Sequence, residues 1–452
     1  MIAGLKPYAE YSDSCSPWLG QVPAHWRTVR NGSLFGQRSQ TGFAQLPILE
    51  VSLKTGVQVR AFGSAKRKQV MADLAKYKRA AKGDLVYNTM RMWQGALGVC
   101  PVDGLVSPAY VVARPYAGVE PQYFAALFRT GDYMAEIDAA SRGIVKDRNR
   151  LYWDQFKQMQ SPCPPPGEQV AIVRFLDWAS GRLERAIRAK RKVIALLTEQ
   201  KKGIIKQAVT LGLDENVELK STGIPWLGDI PKHWEVSRVK SEFRCLNTMR
   251  APLNSVERGR MRSRTYDYYG ASGAIDKVDD FLFDDELLLI AEDGANLVLR
   301  NLPLAIIASG KFWVNNHAHI LKPRRGSIRY LAHLLETLNF CPWITGAAQP
   351  KLTQDRLLAI SIAVPPGEEQ MAITAAAELR CQPLNDALAR LAREVELLRE
   401  YRTRIVADVV TGKLDVREAA ATLPEAVTAG IEAEPTDEAD DSELIDEEAT
   451  EA

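Results

Sequence analysis

The chain carries one segment twice. Pro17-Trp18-Leu19-Gly20-Gln21-Val22-Pro23-Ala24-His25-Trp26 returns as Pro225-Trp226-Leu227-Gly228-Asp229-Ile230-Pro231-Lys232-His233-Trp234, an offset of 208 residues. A second pair, Pro165-Pro166-Gly167-Glu168-Gln169 and Pro365-Pro366-Gly367-Glu368-Glu369-Gln370, opens a heptad-patterned stretch each time. Between them, Tyr123-Phe124-Ala125-Ala126-Leu127 is echoed by Tyr330-Leu331-Ala332-His333-Leu334 at an offset of 207. The frame of one duplicated unit is kept while its interior drifts, unlike a solenoid of many short periods. A chain ordered module–helix–module–helix presents two similar surfaces at a set separation.

Each module reads as mixed α and β. Residues 46–115 are strand-rich, with Leu46–Leu53 and Ala109–Ala113 bounded by Gly and Pro. Over 121–140 the spacing of Phe124, Leu127, Phe128, Met134 and Ile137 predicts helix, and Pro162 to Pro166 close the module. The second half repeats the order, with strands at Phe281–Phe283, Leu287–Ile290 and Phe312–Val314 and a helix over 328–338.

The two heptad stretches predict helices that pair. Leu176, Leu183, Lys190, Leu197 and Ile204 form one row of the first, and Ile187, Ile194, Lys201 and Ala208 the other. In the second, Leu384, Leu391, Leu398 and Ile405 interleave with Leu388, Val395, Arg402 and Val409. A shift of 201 sets Lys201 on Arg402, so long basic side chains weaken the seam at matching places. Each buried Leu or Ile contributes roughly 1.5–3 kcal/mol, which tolerates that loss. The fold class is therefore α+β: two similar modules joined by two long helices forming an antiparallel coiled coil with pseudo-two-fold symmetry. The predicted boundaries are 1–165, 166–213, 214–366, 367–416, and a disordered acidic tail over 417–452.

At 452 residues the chain has room for two to four domains, and 46% hydrophobic with 25% charged residues suits a soluble globular protein. It lacks any apolar run of 18 residues and a signal-like N-terminus, so no membrane partner is predicted. Six scattered cysteines read as free thiols in a reducing cytoplasm. The net charge of +2 hides an asymmetry: setting aside the 13 acids from Glu418 onward, where no basic residue occurs, leaves +15. A basic body suits a polyanion.

Catalytic motifs are missing. There is no G-x-x-x-x-G-K-[ST] loop and no G-x-G-x-x-G after a strand. The paired prolines are neither preceded by Asn or Asp nor followed by an aromatic, unlike the catalytic loop of amino-methyltransferases. His317 and His319 read as strand alternation, with no further metal ligands at suitable spacing. The acidic groups Asp279-Asp280 and Asp284-Asp285-Glu286 read as a solvated hairpin. The chain is predicted to be non-catalytic, with no metal and no cofactor of its own.

Binding chemistry remains. In the first module the candidates are Lys66, Arg67, Lys68, Arg91, Gln94, Lys146, Arg148 and Arg150. In the second they are Arg260, Arg262, Arg264, Tyr268, Asn296, Lys311, Asn316, Gln349 and Lys351. Arg and Gln read guanine and adenine edges in the major groove, and Lys and Arg in numbers neutralise phosphate. Trp18, His25 and Trp26, with their copies Trp226, His233 and Trp234, read as a buried anchor between module and helix.

These segments resemble the specificity (S) subunit of type I restriction–modification systems. The resemblance is carried by the paired P-W-L-G-x-[VI]-P-x-H-W and P-P-G-E…Q segments, by Gly83-Asp84-Leu85-Val86-Tyr87-Asn88 and Ser107-Pro108-Ala109-Tyr110-Val111-Val112, and by Tyr268-Tyr269-Gly270-Ala271-Ser272-Gly273 and Gln349-Pro350-Lys351-Leu352-Thr353. It spans the chain to about Arg417. It implies two target-recognition domains, each reading half of a bipartite site in double-stranded DNA, on helices that set the spacer. It further implies docking of two methyltransferase (M) subunits and, through them, two restriction (R) subunits, with S-adenosylmethionine, ATP and Mg used by those partners in adenine methylation and cleavage. The residues alone also allow a coiled-coil scaffold with two peptide- or glycan-binding modules, or a detached piece of a combined nuclease–methyltransferase.

Overall fold

The computed structural model describes residues 5–53, 55–60, 74–142, 149–346 and 349–424. The chain forms two compact units, Met1–Ala189 with Glu394–Ala452, and Lys190–Arg393. The division falls inside the two long helices, α1 (Pro166–Leu211) and α2 (Gly367–Val410), where the sequence reading places boundaries at both ends of each helix. The reason lies in the packing of each unit.

In the first unit, strands β1 (Phe35–Arg38), β2 (Leu85–Asn88), β3 (Leu97–Val99) and β4 (Tyr110–Pro115) form a sheet of order β1-β4-β2-β3. Its two central strands are antiparallel, with Tyr110 opposite Asn88 and Val112 opposite Val86. Both are covered on both faces, so they read as continuous apolar runs. Leu85 and Tyr87 with Val111 and Ala113 face the main core, while Val86 and Val112 face a second cluster. Helix Pro121–Phe128 begins with Pro at its first position and Glu120 as N-cap, and buries Tyr123, Phe124, Leu127 and Phe128 on one face.

The second unit repeats this with β5 (Phe243–Cys245), β6 (Tyr266–Gly270), β7 (Gly273–Val278), β8 (Phe283–Ala291), β9 (Ala305–Val314) and β10 (Ala318–Pro323). The sheet order is β5-β10-β8-β9-β6-β7. Its first four strands match β1-β4-β2-β3 in order, and the β6–β7 hairpin extends the sheet beyond β9. Helix Ile328–Thr337, capped by Ser327, buries Tyr330, Leu331, Leu334 and Leu335 in the manner of Pro121–Phe128.

In the first unit the start of α1 packs with the end of α2: Ile172, Phe175, Leu176 and Ala179 share a core with Ile405, Val409 and Val410. In the second, the end of α1 and the start of α2 do so through Ala208, Val209, Ile373 and Ala377. Every predicted seam residue is buried or partly buried: Leu176, Leu183, Ile187, Val395 and Ile405 fully, and Ile194, Leu197, Ile204, Leu384, Leu388, Leu391 and Leu398 partly. Arg402 does not simply weaken the seam, because its Nη1 lies 3.0 Å from Glu184 Oε2. The first residues of the predicted tail are described. Arg417–Ala421 is helical, Val416 and Ala420 are buried in the first core, and Arg174 donates to the Leu423 carbonyl at 2.6 Å. The acidic run itself lies outside the described residues, apart from Glu418.

Candidate nucleic-acid interface

The duplicated segments meet. In the first unit Glu168 accepts from His25 Nε2 at 2.7 Å, Trp26 Nε1 at 3.0 Å and the Tyr8 hydroxyl at 2.6 Å. In the second, Glu369 accepts from His233 Nε2 at 2.8 Å and Trp234 Nε1 at 3.0 Å. Gln169 bridges the Glu120 amide and the Pro164 carbonyl, and Gln370 bridges the Ser327 amide and the Pro365 carbonyl. Tyr123 donates to the Val410 carbonyl at 2.9 Å, and Tyr330 to that of Val209 at 3.0 Å. The anchor reading fits Trp26 and Trp234, which are 5% and 0% exposed. It does not fit Trp226, which is 45% exposed, donates to the Ser361 carbonyl and rests edge-on against Trp343.

This frame holds a three-segment corner in each unit. In the first, the turn after β2 receives a hydrogen bond from the Leu151 amide to the Thr89 carbonyl at 2.9 Å, and Thr89 Oγ1 donates to the Ala109 carbonyl just before β4. In the second, the Leu352 amide donates to the Glu292 carbonyl at 2.8 Å after β8, and the Glu292 amide to the His317 carbonyl just before β10. Leu151 and Leu352 are fully buried and 201 residues apart. The residue before each is a cation, Arg150 and Lys351, exposed in both cases and held by an antiparallel bridge, to Arg142 and to Thr345.

Around Lys351 the polar groups are connected. Its Nζ lies 3.1 Å from Glu292 Oε1, and Arg250 Nη1 donates to the other Glu292 oxygen. Burial alone would raise the Glu292 carboxyl; the Arg250 hydrogen bond and the nearby His319 and Lys351 outweigh it and hold it below the usual carboxylate range. His319 is fully buried, hydrogen-bonded to the Leu352 carbonyl and to Asn247, and burial lowers its pKa. His317 is exposed, with Nδ1 2.8 Å from Asp293 Oδ2. The two histidines thus face opposite ways from one strand start.

Of the predicted binding residues, the second corner brings together Asn316, Gln349 and Lys351, all exposed. In the first, Arg91 and Gln94 lie in the stretch after Thr89, and Arg150 precedes Leu151, whose amide bonds the Thr89 carbonyl. Lys66, Arg67, Lys68, Lys146 and Arg148 lie outside the described residues. Arg260, Arg262 and Arg264 are exposed at the far end of β6, where Asp279 accepts from the amides of Arg262 and Arg264. Lys311 sits opposite Asp284, over the ring of Phe281. Two further candidates have structural contacts. Tyr268 is 1% exposed, its hydroxyl is bonded to the Leu253 backbone and its ring is covered by Arg258. Asn296 uses its amide to staple the Leu302 backbone. Asp293 and His317 are the corner residues that pattern reading missed, since their pairing spans 24 residues.

The family model for the type I restriction modification DNA specificity domain matches residues 231–376. A putative type I restriction enzyme specificity subunit, S.HindORF215P of Haemophilus influenzae, is 37% identical over 27% of this chain and 30% of its own length. The putative MjaX specificity subunit of Methanocaldococcus jannaschii is 22% identical over 88% of this chain and 96% of its own length. A solved chain from work on complex assembly and conformational transition of the type I R-M system superposes with a TM-score of 0.60 at 16% identity, covering 87% of this chain and 99% of that one. The match to the family domain falls in the second unit, the first unit repeats its frame, and the chain is similar over most of its length to type I restriction–modification specificity subunits.

Proposed function

We propose that each unit reads one half of a bipartite site in double-stranded DNA. The observation that carries this is the kept frame with changed contents: Leu151 and Leu352 hold the same corner, while Thr89, Ala109 and Arg150 in one become Glu292, His317 and Lys351 in the other. Two recognition surfaces of one construction with different side chains suit two different half-sites. Paired helices suit a spacer of set length, which must match a DNA repeat of about 34 Å per turn.

The same duplication supports two copies of one partner, a methyltransferase subunit. On the helices the first unit exposes Val170 and Leu397, and the second exposes Met371 and Leu196. Each residue lies 201 positions from its counterpart, so the same apolar pair recurs on both units. Exposed apolar side chains at matching places suit docking surfaces. In this reading restriction subunits join through the methyltransferases, the partners use S-adenosylmethionine, ATP and Mg, and this chain performs no bond chemistry. Among the described residues no helix is long and apolar enough to cross a membrane.

Exchanging residues 46–160 for those of another such module, in the assembled methyltransferase, tests the reading by sequencing the methylated motif. One half-site should change and the other persist. A change in both halves, or in neither, overturns it.

A further inference from the structure

We propose that His317 and Lys351 are the base-reading pair of the second half-site, and that Arg150 holds the equivalent place for the first. This rests on the DNA-reading function above and assigns it to particular atoms. Three observations converge on the pair. Lys351 and Arg150 sit at the same position of the duplicated frame, each next to a fully buried leucine that fixes the loop. The two carboxylates behind the second corner are largely shielded, Glu292 at 11% and Asp293 at 14% side-chain exposure, whereas the side chains they hold reach solvent, Lys351 at 50% and His317 at 46%. The strand bearing the Tyr268-Tyr269-Gly270 motif also ends here, because the Asn315 amide donates to the Tyr269 carbonyl at 3.0 Å and the His317 amide to Asn315 Oδ1 at 2.8 Å. A shielded acid behind an exposed donor aims that donor without neutralising the surface it presents.

The chemistry of the pair names the class of ligand. The ammonium of Lys351 spends one donor on Glu292 and keeps two, which fit the O6 and N7 acceptors of guanine. With Nδ1–H hydrogen-bonded to the Asp293 carboxylate, the His317 ring in its neutral form turns Nε2 outward as an acceptor, which fits the exocyclic amino group of adenine or cytosine. The second half-site accordingly contains a guanine beside a base that offers an amino group to the major groove.

The test uses the full chain assembled with its methyltransferase partner, with the modified motif read by sequencing that detects methylated bases. Lys351→Met should relax one guanine of the second half, lowering discrimination there roughly 10- to 100-fold. Lys351→Arg should keep that guanine, and Lys351→Gln should move the preference toward adenine. His317→Ala should relax a different position of the same half, and Arg150→Met a position of the first half only. The side chains of Lys351, His317 and Arg150 are all exposed, and Arg250 still satisfies Glu292 when Lys351 is replaced, so unchanged melting temperatures are expected. If Lys351→Met weakens modification equally at all sequences and leaves the motif intact, the residue is a phosphate contact and the proposal is overturned. If the wild-type complex modifies no split motif, the DNA-reading function fails and this proposal with it. A split wild-type motif that all variants preserve overturns the base-reading pair alone.

Discussion

Trp234 donates its indole proton to Glu369 at 3.0 Å, as Trp26 does to Glu168, and the two pairs tie each signature segment to the start of the long helix that follows its module. Trp234 is fully buried, so Trp234→Ala should lower unfolding free energy by about 3–5 kcal/mol. Trp226→Ala removes only an exposed edge contact and one hydrogen bond and should cost about 1 kcal/mol. Denaturant unfolding of the two variants side by side checks the order; equal losses would contradict the assignment of the anchor.

Acid should destabilise the second unit first at His319. Burial lowers the pKa of this imidazole, and the same cause lowers His333. The unfolded chain therefore takes up these protons more readily than the folded one. The stability they contribute is present above the unfolded value of about 6.5 and is lost as pH falls below it. Melting temperatures between pH 7.5 and 5 should drop, and His319→Gln, which cannot take up that proton, should show a shallower drop over the same range. An unchanged slope in the variant would remove His319 from the account.

Pro383 stands inside α2, where it cannot donate a backbone hydrogen bond, and it is exposed. An interior proline costs a helix up to about 3 kcal/mol, so Pro383→Ala should raise the melting temperature. A fall instead would show that the proline shapes a bend on which packing depends.

Leu196 and Leu397 are exposed at matching positions of α1 and α2. Leu196→Glu alone, or Leu397→Glu alone, should leave one methyltransferase copy bound, and the double variant none. Native mass spectrometry of the assembled complex reads this directly.

The duplication and the heptads were legible because identity at a distance and a period of seven survive without knowledge of packing. Leu176, Ile187, Val395 and Ile405 all sit where their spacing puts them. The partner of each His–Trp pair was not legible. Glu168 and Glu369 stand in the quoted Pro-Pro-Gly segments, but the contact runs over 143 and 136 residues and leaves no local pattern. Tyr268 misled for the opposite reason. An aromatic among arginines reads as a binding surface, and only the Leu253 backbone that occupies its hydroxyl reveals a structural role. The match of Arg150 with Lys351 was hidden because the frame shifts from 207 at Tyr123 and Tyr330 to 201 at Leu151 and Leu352, so the change in length falls between that helix and the corner.

The hydroxyl of Tyr123 closes on a carbonyl 287 residues further along, near the end of α2. The first unit thus lacks its final partner until synthesis has passed Val410. Its core, with Ile172, Phe175 and Leu176 awaiting Ile405 and Val409, stays open through the synthesis of the second unit. The second unit has all its residues between 190 and 393, so it can close first. In this protein the order of synthesis and the order of completion run in opposite directions, and a chain stopped short of α2 would leave the first recognition module with an uncovered apolar face.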